Sequence, residues 1–230
     1  MTRLLTVAEM TLRELARRRG VLLLLLLLPL GFYALRHDGY VGQSIRSLFM
    51  GIGWAVSTAA LFATSANRAI EPRLRSAGYR SHELYLGRML ALWVLGVAIT
   101  VPFVLLVAVD APQVHRGGVA LAMLCCAAVA APFGMLIGLL VPRDLEGTLL
   151  LLTAVGLQMT LDPASPAAKL TPFWSSREIA NFAVDHTGRD YLERGALHCL
   201  VMTLLLVLAV AAASTFRLRR RGHLVRLATE

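Results

Sequence analysis

Four stretches of about twenty predominantly apolar residues, 47–66, 89–109, 118–141 and 196–216, constrain this chain more than any other feature. At 1.5 Å per residue, about twenty residues let a helix cross the ~30 Å hydrocarbon core of a bilayer. In lipid every backbone N–H and C=O must be satisfied internally, which leaves helices or closed barrels, and runs this long favour helices. Two further apolar runs, 21–35 (VLLLLLLLPLGFYAL) and 147–161, have roughly fifteen residues each. The first is flanked by Arg17, Arg18, Arg19 and Arg36, whose long side chains extend a short span by snorkelling. The second lies between Pro142 and Pro163, with Asp144 or Glu146 placed to cap its start. The expected fold class is all-α integral membrane: one transmembrane domain over 1–230 with six transmembrane helices.

Composition agrees. Hydrophobic residues make up 57% of the chain and its mean hydropathy is +0.66, above what a globular core requires. A formal charge of +9 in a soluble chain would suggest nucleic acid. Here basic loops beside membrane spans explain it, so no nucleic-acid partner is expected, and membrane lipids are. With the N-terminus inside, 16 of the 23 basic residues fall on the cytoplasmic side and 7 outside. That asymmetry places both termini in the cytoplasm.

Residues 1–19 do not span. Leu4, Leu5, Ala8, Leu12 and Leu15 share one helical face while Glu9, Arg13 and Arg17 occupy the other, the pattern of an amphipathic helix lying in the membrane interface. Arginines followed by a leucine run also have the order of a cleaved signal peptide, but Phe32 stands where a small residue would be needed three positions before Ala34. The outer segment, 162–195, carries Ser175 and Glu178 at capping-box spacing ahead of the apolar Ile179, Phe182 and Ala183. This predicts a helix at or dipping into the outer leaflet, and Asp190 with Glu193 repeats the spacing.

Catalytic signatures are scarce. Cys125, Cys126 and Cys199 lie in apolar runs as small hydrophobes, with no CxxC pattern. The HEL at His82 lacks a second histidine because position 86 is Leu86. Neither GxSxG nor GxxxxGK[ST] occurs, so the chain has no P-loop for ATP. Polar residues in the spans, Gln158, Thr160 and His198, sit near their ends, and His198 reads as interfacial. Gly134 and Gly138 form a GxxxG that lets helices approach closely, within the chain or in a dimer.

The longest polar interruption on the cytoplasmic side is 67–88, NRAIEPRLRSAGYRSHELYLGR. The residue before a proline avoids the α region, so the second span's helix is expected to stop near Glu71. Pro72 then opens a short helix, with Gly78 as its left-handed stop. Ser81 is expected to cap the next helix, with Glu83 in its first turn. The prediction is a short rigid helix parallel to the membrane that presents arginines and Tyr79.

With six spans, an amphipathic N-terminal helix, this structured loop and a Pro-rich outer segment, the chain resembles an ABC transporter permease of the ABC type-2 family. The matching loop positions are Glu71, Arg73, Leu74, Gly78, Ser81, Glu83, Leu84, Gly87 and Arg88; the proline that the family often carries near Gly78 to Tyr79 is absent. The resemblance implies a cytoplasmic coupling helix that docks on a separate ATPase, with Glu71, Arg73, Arg75, Gly78, Tyr79, Arg80 and Glu83 as contacts. Arg143, Asp144 and Glu146, in the short loop VPRDLEG, form a second contact. It also implies two ATPase copies holding ATP and Mg, no cofactor on this chain, and a second permease copy or related permease. Location would be the cell membrane, and the function export of an apolar or amphipathic substrate such as a drug, antibiotic or lipid. A haem exporter B-type permease of cytochrome c maturation is close in length and span number. A six-span membrane enzyme or a scaffold is the alternative from another class.

Overall fold

The computed structural model describes residues 3–35, 40–161 and 165–227; side chains at 159, 160 and beyond 216 are outside that description. Arg36, the first residues of the outer segment and the C-terminal arginine side chains therefore lie outside it. Among the described residues every regular element is helical: α1 (Arg3–Arg17), α2 (Arg19–Ala34), α3 (Val41–Ala66), α4 (Glu71–Ser76), α5 (Ser81–Asp110), α6 (Arg116–Leu140), α7 (Asp144–Thr160), α8 (Trp174–Val184) and α9 (Arg189–Leu227). A 3₁₀ turn at Ala168–Leu170 precedes α8.

Among the described residues four helices are long and apolar enough to cross a membrane: α3, α5, α6 and, over Arg189–Phe216, α9. The leucine-rich α2 has 16 residues and α7 has 17, each short of that length. Burial in the bundle runs against hydropathy. The most apolar window of α3 has mean hydropathy 1.5 and is 78% buried, whereas that of α9 reaches 2.5 and is 11% buried. Lipid tails are as apolar as leucine, so the centre of a membrane bundle is selected for close approach, not for hydrophobicity. Accordingly α3 carries Gly51, Gly53, Ala55, Ser57, Ala59 and Ala60, all buried. Helix α9 turns Leu197, Leu200, Leu204, Leu205 and Leu208 outward.

The central pair is α3 against α6; α2 and α7 pack on α3, while α5, α8 and α9 pack on α6. The Cβ position at Gly134 lies 2.0 Å from the Ser57 carbonyl oxygen, so any side chain there would collide with the α3 backbone. One turn on, Gly138 is similarly held against Leu61 and Thr64. The GxxxG is thus the α3–α6 seam within one chain and is not available as a dimer face. Beside it the Ser57 hydroxyl donates to the Ala130 carbonyl at 3.1 Å and the Cys126 thiol to the Phe49 carbonyl at 3.0 Å.

The outer segment departs from expectation. Ser175 does not cap α8: it is the helix's second residue and fully buried, after a start at Trp174. Ile179, Ala180 and Ala183 are buried as α8 packs against α6 and α9, so the apolar face meets protein. Asp190 also lies inside its helix, where it pairs with Arg194 at 2.9 Å. A capping box needs a side-chain oxygen at the non-helical position, and here Phe173 and Gly188 precede the two helices. His198 sits edge-on to Trp174, ring centroids 5.0 Å apart, with its Nε2 3.0 Å from the Lys169 carbonyl.

Candidate functional site

At the end of the bundle where α3 and α6 terminate, two loops and α1 come together. Helix α3 stops at Ala66, a turn before the expected Glu71. The Asn67 side chain donates to the Ala63 carbonyl at 2.8 Å and closes the last turn. Four residues of turn follow, then α4 opens at Glu71 with Pro72 in its first turn, where the missing N–H costs nothing. Gly78 has φ +87°, the left-handed conformation that ends a helix without strain only for glycine. The short helix and its stop are therefore where the sequence placed them. Ser81 is not the cap: it is the first residue of α5, preceded by Arg80, whose backbone N–H donates to the Glu83 carboxylate at 2.7 Å.

The residues singled out in this loop divide by environment. Arg73, Arg75, Gly78 and Arg80 are exposed, Tyr79 and Glu83 are half-buried, and Glu71 is 6% exposed, so it faces the bundle and is not a surface contact. Helix α1 lies against the first turns of α5. Gly87 permits this, because a Cβ there would be 2.7 Å from the Leu4 carbonyl oxygen and 2.8 Å from Val7 Cβ. Its buried stripe is Val7, Ala8, Thr11 and Leu15, while Leu5 and Met10 remain exposed. Of the apolar face assigned to lipid, Ala8 and Leu15 are buried against protein, Leu4 and Leu12 are half-buried and Leu5 is exposed. From the start of α1 the Arg3 guanidinium donates to the Gly78 carbonyl and stands 5.7 Å from the centre of the Tyr79 ring.

The second loop joins the first through a residue the sequence did not single out for a role. The Arg68 guanidinium donates to the carbonyls of Gly138, Val141 and Pro142. These are last-turn carbonyls of α6 and the residues just beyond, which have no intrahelical donors, and a cation there also opposes the negative end of the helix dipole. Arg143, Asp144 and Glu146 are exposed, with Arg143 and Glu146 paired at 3.1 Å in the first turn of α7. The two sets of predicted residues share one end of the molecule, tied by Arg68 and not by contacts between their own side chains. An arginine directly after a span, facing a span end with unpaired carbonyls, was the signal available in the sequence.

Beside this surface a cleft of about 650 Å³ opens between α1, α2 and α3. Leu15, Leu25, Leu28, Trp54, Ala59 and Phe62 make it apolar, and Glu14 and Arg18, an exposed pair at 3.0 Å, contribute its charge. Its size is within the range that holds a drug-sized molecule. Among the described residues no group of three or more His, Cys, Asp or Glu is arranged to hold a metal.

No protein-family model matches the chain, and no curated protein matches it.

Proposed function

We propose that this chain is the membrane permease subunit of an ATP-driven exporter of the ABC type-2 kind. A separate ATPase would dock on α4 and on the 142–146 loop, with two permeases and two ATPases in the cell membrane. In this reading α2 and α7 are short spans that complete a set of six, and both termini are cytoplasmic. The observation that carries the proposal is the short α4 with its Gly78 stop. It is an exposed, basic element whose flanking residues are tied to the bundle: Gly78, just after it, accepts from Arg3 of α1, and Arg68, just before it, donates to carbonyls at the end of α6. Movement of α4 by a partner would reach the central α3–α6 pair and α1, which borders the apolar cleft. That cleft suits an apolar or amphipathic substrate, with Glu14 and Arg18 meeting a polar group.

The test is reconstitution with an ATPase encoded beside this chain that carries GxxxxGK[ST]. Wild-type permease is expected to co-purify with it and to raise its ATP hydrolysis in the presence of substrate. Gly78→Ala places an L-residue at φ +87°, a strain of about 1–2 kcal/mol. It is expected to reduce stimulation severalfold while the chain still inserts and folds. Failure of the wild-type chain to bind such an ATPase, or unchanged stimulation with both Gly78→Ala and Tyr79→Ala, would overturn the reading.

A further inference from the structure

At the opposite end of the bundle a second, smaller cavity of about 120 Å³ lies between α3, α7 and α8. Its lining is unlike that of the apolar cleft. Gln43, Arg46 and Ser47 come from the first turns of α3, Gln158 from the last turn of α7, and Ser176 and Arg177 from α8; among the described residues the rest of the lining is apolar and includes no carboxylate. The wall therefore supplies two guanidinium groups, the Ser47 hydroxyl and amide N–H donors, while the Ser176 hydroxyl donates to the Ala122 carbonyl at 3.4 Å.

Gln158 shows what this wall lacks. The residue is 3% exposed, and its Oε1 accepts from the Phe173 backbone N–H at 3.2 Å. A backbone N–H can only donate, so that bond fixes which end of the amide is oxygen. The Nε2 is then a buried donor with no acceptor among the described residues. An unmet buried donor costs on the order of 1–3 kcal/mol, and this one belongs to a side chain that lines a cavity carrying two arginines. The cations are held in place from behind. Arg46 pairs with Asp185 and donates to Asn181 at 3.2 Å, and Arg177 donates to the Leu161 carbonyl at 3.2 Å. Neither Asp185 nor Asn181 lines the cavity.

We propose that this cavity binds a phosphate-type oxyanion. Such a ligand is all acceptor, carries the charge that two guanidinium groups select, and has oxygens to spare for the Gln158 amide. The volume is about that of four waters at roughly 30 Å³ each, enough for a head group but not for an acyl chain. Free phosphate and the phosphodiester of a membrane lipid offer the same chemistry, and the site lies at the end of the bundle where head groups would be met. Occupancy would clamp the start of α3 to α8 and the end of α7. None of this depends on coupling to an ATPase.

The experiment uses the full chain, purified in a non-ionic detergent without anionic lipid, with thermal unfolding followed against inorganic phosphate and against chloride at matched ionic strength. In parallel, lipid retained from nanodiscs of phosphatidylglycerol or of a neutral glycolipid is measured by native mass spectrometry. The expected result is a saturable rise in Tm with phosphate over chloride, or selective retention of phosphatidylglycerol, weakened at least tenfold in Gln158→Leu and in Arg177→Gln. The first arm positive identifies free phosphate; the second alone identifies the lipid. Should Gln158→Leu fail to fold, Arg177→Gln decides. Equal responses to phosphate and chloride together with no lipid discrimination would overturn the proposal, as would both variants binding like wild type.

Discussion

Replacing Gly134 with alanine tests the account of the bundle's centre. The added methyl would lie 2.0 Å from the Ser57 carbonyl oxygen and 2.7 Å from Ser57 Cα, whereas ordinary contact begins near 3.4 Å. Backbone lies on both sides, so no side chain can swing aside, and α3 and α6 must separate by about 1.4 Å along that line. A gap of ~0.5–1 Å already forfeits a quarter to a half of each dispersion well along a seam. Overpacking of this kind costs up to about 3 kcal/mol. Loss of the 3.1 Å bond from Ser57 to Ala130 adds ~0.6 kcal/mol, the mean for such bonds in membrane bundles. Against this stands the gain of about 1 kcal/mol from replacing glycine by alanine in a helix. The net is a destabilisation of roughly 2–3 kcal/mol, or about 30- to 140-fold in the folding equilibrium. Gly138→Ala, whose Cβ meets Leu61 and Thr64 at 3.0 Å, should lose less. Gly156→Ala, with nothing within 4 Å, should be neutral or slightly more stable. Reversible unfolding in mixed micelles with increasing SDS measures all three. A Gly134→Ala protein within ~0.5 kcal/mol of wild type, inside the usual range for inconsequential substitutions, would refute the argument, and so would an equal loss in Gly156→Ala.

Two further predictions concern the ends of the bundle. Arg68→Ala removes the donors to three α6 and loop carbonyls. It should cost about 1–3 kcal/mol and speed amide exchange locally across 138–147, with Arg68→Lys restoring only part because an ammonium is a single point donor; unchanged exchange there would show that the cap is unimportant. Burial raises the Glu178 pKa, while Arg194 foremost, then Lys169 and Arg177, oppose the rise and Asp190 adds to it. The protonated form is therefore favoured in the fold. The contribution is complete below the ordinary glutamate value of about 4.3 and is lost as pH climbs through the raised folded value. Glu178→Gln should flatten the stability profile in that window, and melting curves of the two proteins that keep the same slope would contradict the assignment.

The legible parts of this protein are those settled within one turn or one run of chain. Apolar length announced the four long helices because the backbone in lipid has no other partner. Pro72 and Gly78 bounded α4 because each acts through its own φ angle. Even there the capping oxygens were misassigned at Ser81 and Ser175, since a serine caps only if tertiary packing leaves it outside the helix. Which surfaces meet could not be read in this way. Gly134 faces Ser57, Arg68 reaches Pro142 across 74 positions, Glu71 turns inward, and α8 packs on α6 instead of lying on a leaflet. The amphipathic stripe of α1 specified a face without specifying whether lipid or α5 would cover it. In a membrane the apolar pattern looks the same toward lipid and toward protein. The sequence by itself therefore set which segments are helices. Close packing of small residues, decided only when all the helices are present, set their arrangement and with it the two polar ends at which this chain has chemistry to offer.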